Sequence, residues 1–346
     1  MLVLAHLDDT TVERAGALVA KEHAAARRIC PELPAAYVDA ATCTGALQHL
    51  RAAGHRGIVA SDSGRPVAVM TAQIRENPVT GSYARLPAEG FAVDPDLEDP
   101  TGVVALVYRE LAPPLVADGA RRHYLLHTPL PRLHEALSNL GFGRDGCYGV
   151  QPAAARRPSS NITVRVAAEQ HLDTIARLAR VEIEHRAAAP MFEPPATPSL
   201  TDLIEEHRAL RRAGAVHLIA ALDGHHVGLL TIELTSPVPR LCPEGQPYIG
   251  PTATVPDARR RGVGQALVDS ALDWAHTHGY QWVSVDFATA NPLSRPFWLQ
   301  AGFRPTGYGL LRLIDQTTGA PQVENLGQGR HLEQAVVHRA VAAQGR

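Results

Sequence analysis

The sequence predicts an α/β protein built as two tandem copies of one plan, each a mixed β-sheet flanked by helices. Three observations carry this. With 346 residues, the chain is about twice the size of an ordinary domain. A seam rich in proline and alanine, QPAAARRPSS at 151–160, divides it near the middle. On either side, the apolar periodicity gives the same order of elements: strand, two helices, three strands, helix, strand, helix, strand. Repetition at so long a period marks a duplicated domain rather than a solenoid. The expected division is a first domain over 1–150, a linker over 151–160, a second domain over 161–315 and a tail over 316–346.

In the first half, strands are expected over 2–7, 57–61, 67–75, 88–93 and 123–128, the second and third joined around Ser63-Gly64. Helices are expected over 11–26, 45–53, 102–118 and 131–140, and Gly141-Phe142 opens a closing strand. The second half starts with NITVRV at 161–166, which alternates as a strand. Residues 169–186 place Leu172, Ile175, Ala176, Leu178, Ala179 and Ile183 at helical spacing, and 200–212 reads as a second helix. Strands over 216–222 and 226–234 meet at Asp223-Gly224-His225, a hairpin signal. A strand over 248–255, a helix over 264–278, a strand over 282–287 and a short helix over 295–301 follow. Gly302-Phe303 opens the last strand, as Gly141-Phe142 does in the first half. In the tail, 331–343 reads either as one more helix, with Leu332, Ala335, Val336 and Ala340 on a face, or as an unstructured end.

Composition excludes several classes of function. Lys+Arg number 33 against 35 Asp+Glu, so no cationic field favours nucleic acid or an anionic membrane. Aromatic content of 5% provides no stacking platform for single strands. Cys30, Cys43, Cys147 and Cys242 form no C-x-x-C pair, and the 17 histidines show no ligand spacing, so no metal is expected. The first residues lack a basic region and no apolar run is long enough to cross a bilayer, so the expected class is a reduced, cytoplasmic protein. There is no G-x-S-x-G nucleophile elbow.

The most informative segment is TATVPDARRRGVGQAL at 252–267. A strand ends at Val255-Pro256, a turn dense in arginine and glycine follows, and a helix opens at once. Glycines let the backbone approach anionic oxygens closely. The new helix adds unsatisfied amides and the positive end of its dipole, and Arg259, Arg260 and Arg261 add full charges. The segment lacks the G-K-[ST] of a P-loop and the third glycine of a dinucleotide fingerprint. The expected ligand is an anion held by this turn.

Arg259-x-x-Gly262-x-Gly264 resembles the Q/R-x-x-G-x-G/A pyrophosphate loop of the GNAT superfamily of N-acetyltransferases. NPLSRPFWLQAGF at 291–303 is similar to that family's second signature, with Asn291 at the asparagine, Phe297 at the apolar position and Gly302-Phe303 as the closing pair. The resemblance covers 161–314 through both motifs, and the first half through element order alone. It implies a sheet that splays between its fourth and fifth strands, with a β-bulge near Gly250-Pro251 and acetyl-CoA in the gap. The implied contacts for acetyl-CoA are Thr254, Val255, Arg259, Arg260, Arg261, Gly262, Val263, Gly264, Gln265, Asn291, Phe297 and Trp298. It further implies direct attack of an amine on the thioester.

This sequence departs from the family at two places. The family's tyrosine, a general acid toward the leaving thiolate, aligns with Trp298, whose indole donates a hydrogen bond but no proton; Tyr308 is a substitute to consider. The fourth strand, YIGPTATV, has no carboxylate, so the base comes from elsewhere: Asp286 and Glu233 lead, with Glu193 and His185 as further candidates.

In the first half, the segment matching the phosphate turn is VDPDLEDPTG at 93–102. Asp94, Asp96, Glu98 and Asp99 would repel a diphosphate, so this copy is expected not to bind acetyl-CoA and to serve structure or the acceptor site. The expected function is acetyl transfer from acetyl-CoA to the primary amine of a small molecule, without metal, nucleic acid or membrane. Two alternatives stay open, a CoA-binding pseudoenzyme acting as sensor or scaffold, and acetylation of a peptide or protein amine. The oligomeric state is left open.

Overall fold

The structure is a computed structural model that describes residues 2–157, 161–194, 198–236 and 238–315. The expected tail element at 331–343 lies outside the described residues, as does the end of the linker at 158–160.

The first half runs β1 Leu2–His6, α1 Val12–Ile29, α2 Ala40–Ala52, β2 Arg56–Asp62, β3 Arg65–Asn77, β4 Gly81–Leu86, β5 Phe91–Val93, α3 Thr101–Ala117, β6 Arg122–His127, α4 Pro131–Asn139 and β7 Gly143–Pro152. The second half runs β8 Thr163–Val166, α5 Leu172–Ala187, α6 Leu200–Arg212, β9 Val216–Leu222, β10 His225–Glu233, β11 Tyr248–Thr254, α7 Val263–Thr277, β12 Trp282–Ala288, α8 Ser294–Gln300 and β13 Arg304–Leu313. Caps set the helix starts where the sequence supplies them. Asp39 accepts the Thr42 amide at the head of α2, and Ser199 and Asp202 form a reciprocal capping box at the head of α6. The strand expected over 88–93 shortens to β5 behind a helical turn over Ala88–Gly90, and β4 is a further strand that was not expected. Polar Ser82 and Arg85 within β4 hide its pattern.

The strands form one 13-stranded sheet, ordered β1-β2-β3-β4-β6-β13-β7-β12-β11-β10-β9-β8, with β5 on β3. Each half was expected to close its own sheet, and here the structure differs. β7, the last strand of the first half, pairs with β12 of the second from Trp282↔Pro152 to Ala288↔Gly146. β13, the last strand of the chain, pairs with β6 of the first half from Tyr308↔His127 to Leu313↔Arg122. The two closing strands also pair with each other. Sheet membership therefore crosses the 150/161 division. Exchange leaves no interior edge unpaired and joins two sheets into one. Both closing strands follow the same Gly-Phe pair, at 141–142 and at 302–303.

The two largest apolar clusters lie against the sheet around Val104, Leu111, Leu125 and Phe142 and around Leu230, Val263, Leu267 and Val285, and smaller ones seat α1 on Val59 and Val69 and α5 on Ile219 and Leu229. Burial pushes the imidazole pKa values of His23, His127 and His217 down to about 3, and of His55, His123 and His207 down to about 4. These groups are neutral when folded and protonate in the unfolded chain near 6.5. Their stabilisation is therefore complete above that pH and is lost as pH falls below it. The urea midpoint is expected to drop markedly between pH 7.5 and about 5.5, by up to ~1 kcal/mol per buried histidine.

Candidate active site

β11 and β12 run parallel and pair only at Tyr248↔Ser284 and Ile249↔Val285. Beyond Ile249 they part, which leaves the backbone of 250–254 free on that side while β10 still pairs with it on the other. The register between β10 and β11 shifts between Leu230 and Ile232, so Gly250 and Pro251 together face Thr231. This is the expected bulge, and proline suits it because no ladder hydrogen bond is required of its nitrogen. A Cβ on Gly250 would collide with the Glu233 carboxylate, so glycine here admits that side chain to the opening. The opening continues into a cleft of about 1100 Å³.

One end of the cleft is the arginine–glycine turn. Arg260 and Gly262 both adopt positive φ, 59° and 86°, which folds the turn back on itself before α7 starts at Val263. No side chain caps α7, so its first-turn amides stay free for an anion. Arg259 is braced by a bond from its Nε to the Thr254 carbonyl at 3.2 Å. Neither Arg259 nor Arg260 has an ion-pair partner among the described residues. Free amides, two guanidinium groups without an ion-pair partner among the described residues and an open strand edge fit a CoA diphosphate and its pantetheine arm. Two of the residues matched by resemblance fall elsewhere. Arg261 pairs with Asp223 at the β9–β10 hairpin tip, 2.9 Å away, and does not line the cleft. Val255 packs into the core and gives its amide to Val227, so the cleft is lined by Thr254 but not by its neighbour.

The second signature holds the turn from behind. Asn291 Oδ1 accepts the amides of Leu293 and Ser294 and so closes the turn that leads into α8. Gly264 lets the Phe297 ring approach α7, since a Cβ there would stand 3.1 Å from it. Trp298 is 5% exposed and packs edge-on against Phe297 and Phe303. Trp298 is thus a core residue at the cleft wall, not a proton donor. Tyr308 lies outside the cleft, against His127, His134 and the Arg144 guanidinium.

The other end of the cleft is acidic. Asp286 on β12 and Glu233 on β10 both reach it, as do Glu182, His185 and Arg186 of α5, Glu193 beyond it, and Asp145 of the exchanged strand β7. Tyr248 donates its hydroxyl to Asp286 Oδ1. Water can reach Asp286, but protein walls it on every other side, and this separation from bulk solvent pushes its carboxyl pKa up. Glu233 is raised too, first by burial and then by the charge of Asp286. Burial likewise raises Asp145 and Glu182. Arg186 offsets part of this charge through Glu182 at 3.1 Å and through Glu193. Asp286, Glu233, Glu193 and His185, the alternative candidates for the base, all line this one cleft. Sequence reasoning missed Tyr248, Glu182, Arg186 and Asp145. Tyr248 reads as an ordinary strand residue, and Asp145 joins only through strand exchange.

The first half repeats the opening without the turn. β4 and β6 pair from Tyr83↔Arg122 to Leu86↔Leu125, and β5 then pairs with β3 alone. Asp94 in the following loop is buried and bonded to Lys21 at 2.6 Å, and Lys21 also meets Asp96. The loop thus already holds the cation its acids attract.

A sequence model described as the Acetyltransferase (GNAT) family matches residues 180–303. An aminoglycoside N(6')-acetyltransferase type 1 of Klebsiella aerogenes is 34% identical over 93 residues, which are 27% of this chain and 60% of that protein. The chain thus spans 60% of the length of that curated relative. Among solved structures, a GCN5-related N-acetyltransferase from Sphaerobacter thermophilus superposes with TM-score 0.57 at 16% identity, over 90% of this chain and 94% of that one. A tandem GNAT protein from the clavulanic acid biosynthesis pathway superposes with TM-score 0.51 at 15% identity, over 92% and 100%. Residues 180–303 carry the sequence pattern of the GNAT family, and along nearly the whole chain the fold is the one shared by these GNAT structures, a tandem GNAT protein among them.

Proposed function

We propose that the second half transfers an acetyl group from acetyl-CoA to the amine of a small cationic molecule. The observation that carries this is the cleft itself, with the free arginine–glycine turn at one end and the acidic cluster at the other, joined through the opening between β11 and β12. Bound there, acetyl-CoA supplies an activated thioester. The free amides of the turn and the Arg259 and Arg260 side chains hold its diphosphate, and the unpaired edge of 250–254 takes its pantetheine arm. The carboxylates attract a protonated amine and align it at the splay. Asp286 and Glu233 take two protons from it, one that frees the lone pair of the ammonium and one from the nitrogen as it bonds to the carbonyl carbon, and the carbon–sulfur bond breaks to release the thiolate. Backbone N–H groups freed at the bulge steady the oxyanion. The thiolate is stable enough to leave without a dedicated acid, consistent with tryptophan at 298. The aminoglycoside named for the Klebsiella relative is a substrate of this chemical kind, a small molecule with several amines.

Thiol release with acetyl-CoA and a panel of mono-, di- and polyamines tests the proposal. Turnover is expected, with preference for polyamines. A thermal shift by acetyl-CoA without turnover would favour the pseudoenzyme, and turnover confined to peptides would favour a protein acceptor. Because the base must lose its proton to act and its pKa is raised, activity is expected to fall on the acid side at a pH above the usual carboxylate range. The first half is proposed not to bind the thioester. Asp96→Asn with Glu98→Gln is expected to leave acetyl-CoA affinity by calorimetry within about twofold of wild type.

A further inference from the structure

The segment 234–247, described at 234–236 and 238–247, leaves the cleft beside Glu233 and returns to it at Tyr248. Between these ends it enters the first half. Val238, Leu241 and Cys242 are buried in one cluster with Ala88, Leu126 and Tyr248. Leu241 fits against Gly307 of the exchanged strand β13, where any Cβ would overlap it. Arg240 goes deepest and is fully buried at 0% exposure. Its guanidinium donates to the carbonyls of Ala88, Phe91 and Val19, the last two at 2.8 and 3.2 Å, and pairs with Glu22 of α1. Glu22 also accepts the Thr128 hydroxyl just past β6.

These partners have a place in the first half's plan. Ala88 and Phe91 flank the break between β4 and β5, and Thr128 follows β6, so Arg240 and Glu22 close the first half's own opening. Glu22 and Glu182 stand at matching positions, each ten residues into the first long helix of its half, from Val12 and from Leu172. In one half that position meets the buried Arg240 from the other half, and in the other it pairs with its own helix's Arg186 and lines the open cleft. A buried ion pair is poor glue, since apolar residues of the same volume usually stabilise as well. Arg240 even leaves its buried Nε without a partner. What four directed bonds to fixed acceptors supply is geometry.

We propose that Arg240 is a positioning residue: anchored in the closed opening of the first half, it holds both ends of the 234–247 segment so that Glu233 and Tyr248 face the acceptor cleft of the second. This rests on the function proposed above, and it gives the first half a task that needs no ligand of its own.

The test uses the full chain and the best amine of the panel, with Arg240→Lys, Arg240→Met and Leu241→Ala. Circular dichroism checks folding, calorimetry gives acetyl-CoA affinity, and steady-state kinetics give kcat and KM. All three variants are expected to bind acetyl-CoA within about twofold of wild type, while kcat falls about 10- to 100-fold. Arg240→Lys is expected to retain more activity than Arg240→Met. An unchanged kcat with a lowered melting temperature would make Arg240 a staple between halves and overturn the proposal. So would a loss of acetyl-CoA affinity parallel to the loss of kcat. If the Arg240 variants do not fold, Leu241→Ala decides by the same split. A wild-type protein that acetylates no amine overturns the underlying function first, before any variant is made.

Discussion

Replacing Asp286 with asparagine is expected to lower kcat by about 10²–10⁴-fold, the range typical for loss of a positioned base. The KM for acetyl-CoA should stay within about twofold, because the turn at Arg259–Gly264 is untouched. The substitution keeps shape and the bond from the Tyr248 hydroxyl, which an amide oxygen also accepts. What disappears is the charge. Burial raises the Glu233 carboxyl first, and the charge of Asp286 adds to that rise. Removing Asp286 therefore has a second consequence, of opposite sign for Glu233. Its carboxyl returns toward the ordinary value, and whatever activity remains should have its acid limb at lower pH than wild type. Measured kcat against pH for wild type, Asp286→Asn and Glu233→Gln separates the roles. An Asp286→Asn enzyme with wild-type kcat would remove Asp286 from the chemistry and leave Glu233 as sole base.

The contrast between what was legible in the sequence and what was not follows one physical line. Local signals survive in a sequence. The glycines at 262 and 264 require a tight turn with free amides, and the Gly250-Pro251 pair cannot continue a ladder, so the turn and the bulge were both readable. Asp286 stood out because a carboxylate within VSVDFA has no apolar purpose. Contacts between distant segments leave no such trace. Arg261 belongs to the same triplet as Arg259, yet Asp223, 38 residues away, draws it off the cleft. Tyr248 acquires meaning only opposite Asp286. Asp145 reaches the cleft because β7 crosses into the second half's sheet, and nothing in the repeated plan distinguishes a strand that closes its own half from one that closes the other. Trp298 is a position where packing adds to what the motif shows, since it lines the cleft and also belongs to the core. The residue in the tyrosine's place is held between two phenylalanines, and its packing explains it better than any proton.

Reversing the charge of Arg259 is expected to abolish measurable acetyl-CoA binding, while the same change at Arg261 is expected to have a much smaller effect. A charge-assisted hydrogen bond contributes about 1.5–3 kcal/mol. Arg259→Glu removes one such bond and sets a carboxylate against the diphosphate, so the combined loss is at least ~3 kcal/mol, or about 100-fold in Kd. The bond from Arg259 Nε to the Thr254 carbonyl is lost as well, which loosens the strand edge that meets the pantetheine arm. Arg261 points instead to exposed Asp223, an exposed pair of little energetic weight. Its reversal changes the field at the turn from a distance, and that contribution is screened by salt. Calorimetric titration at low and physiological ionic strength distinguishes the two. Arg259→Glu should stay silent under both conditions, whereas Arg261→Glu should bind more weakly at low salt and approach wild type as salt rises. Equal losses from both substitutions would mean that the triplet acts as one diffuse patch, and the directed grip of the turn on the diphosphate would have to be given up.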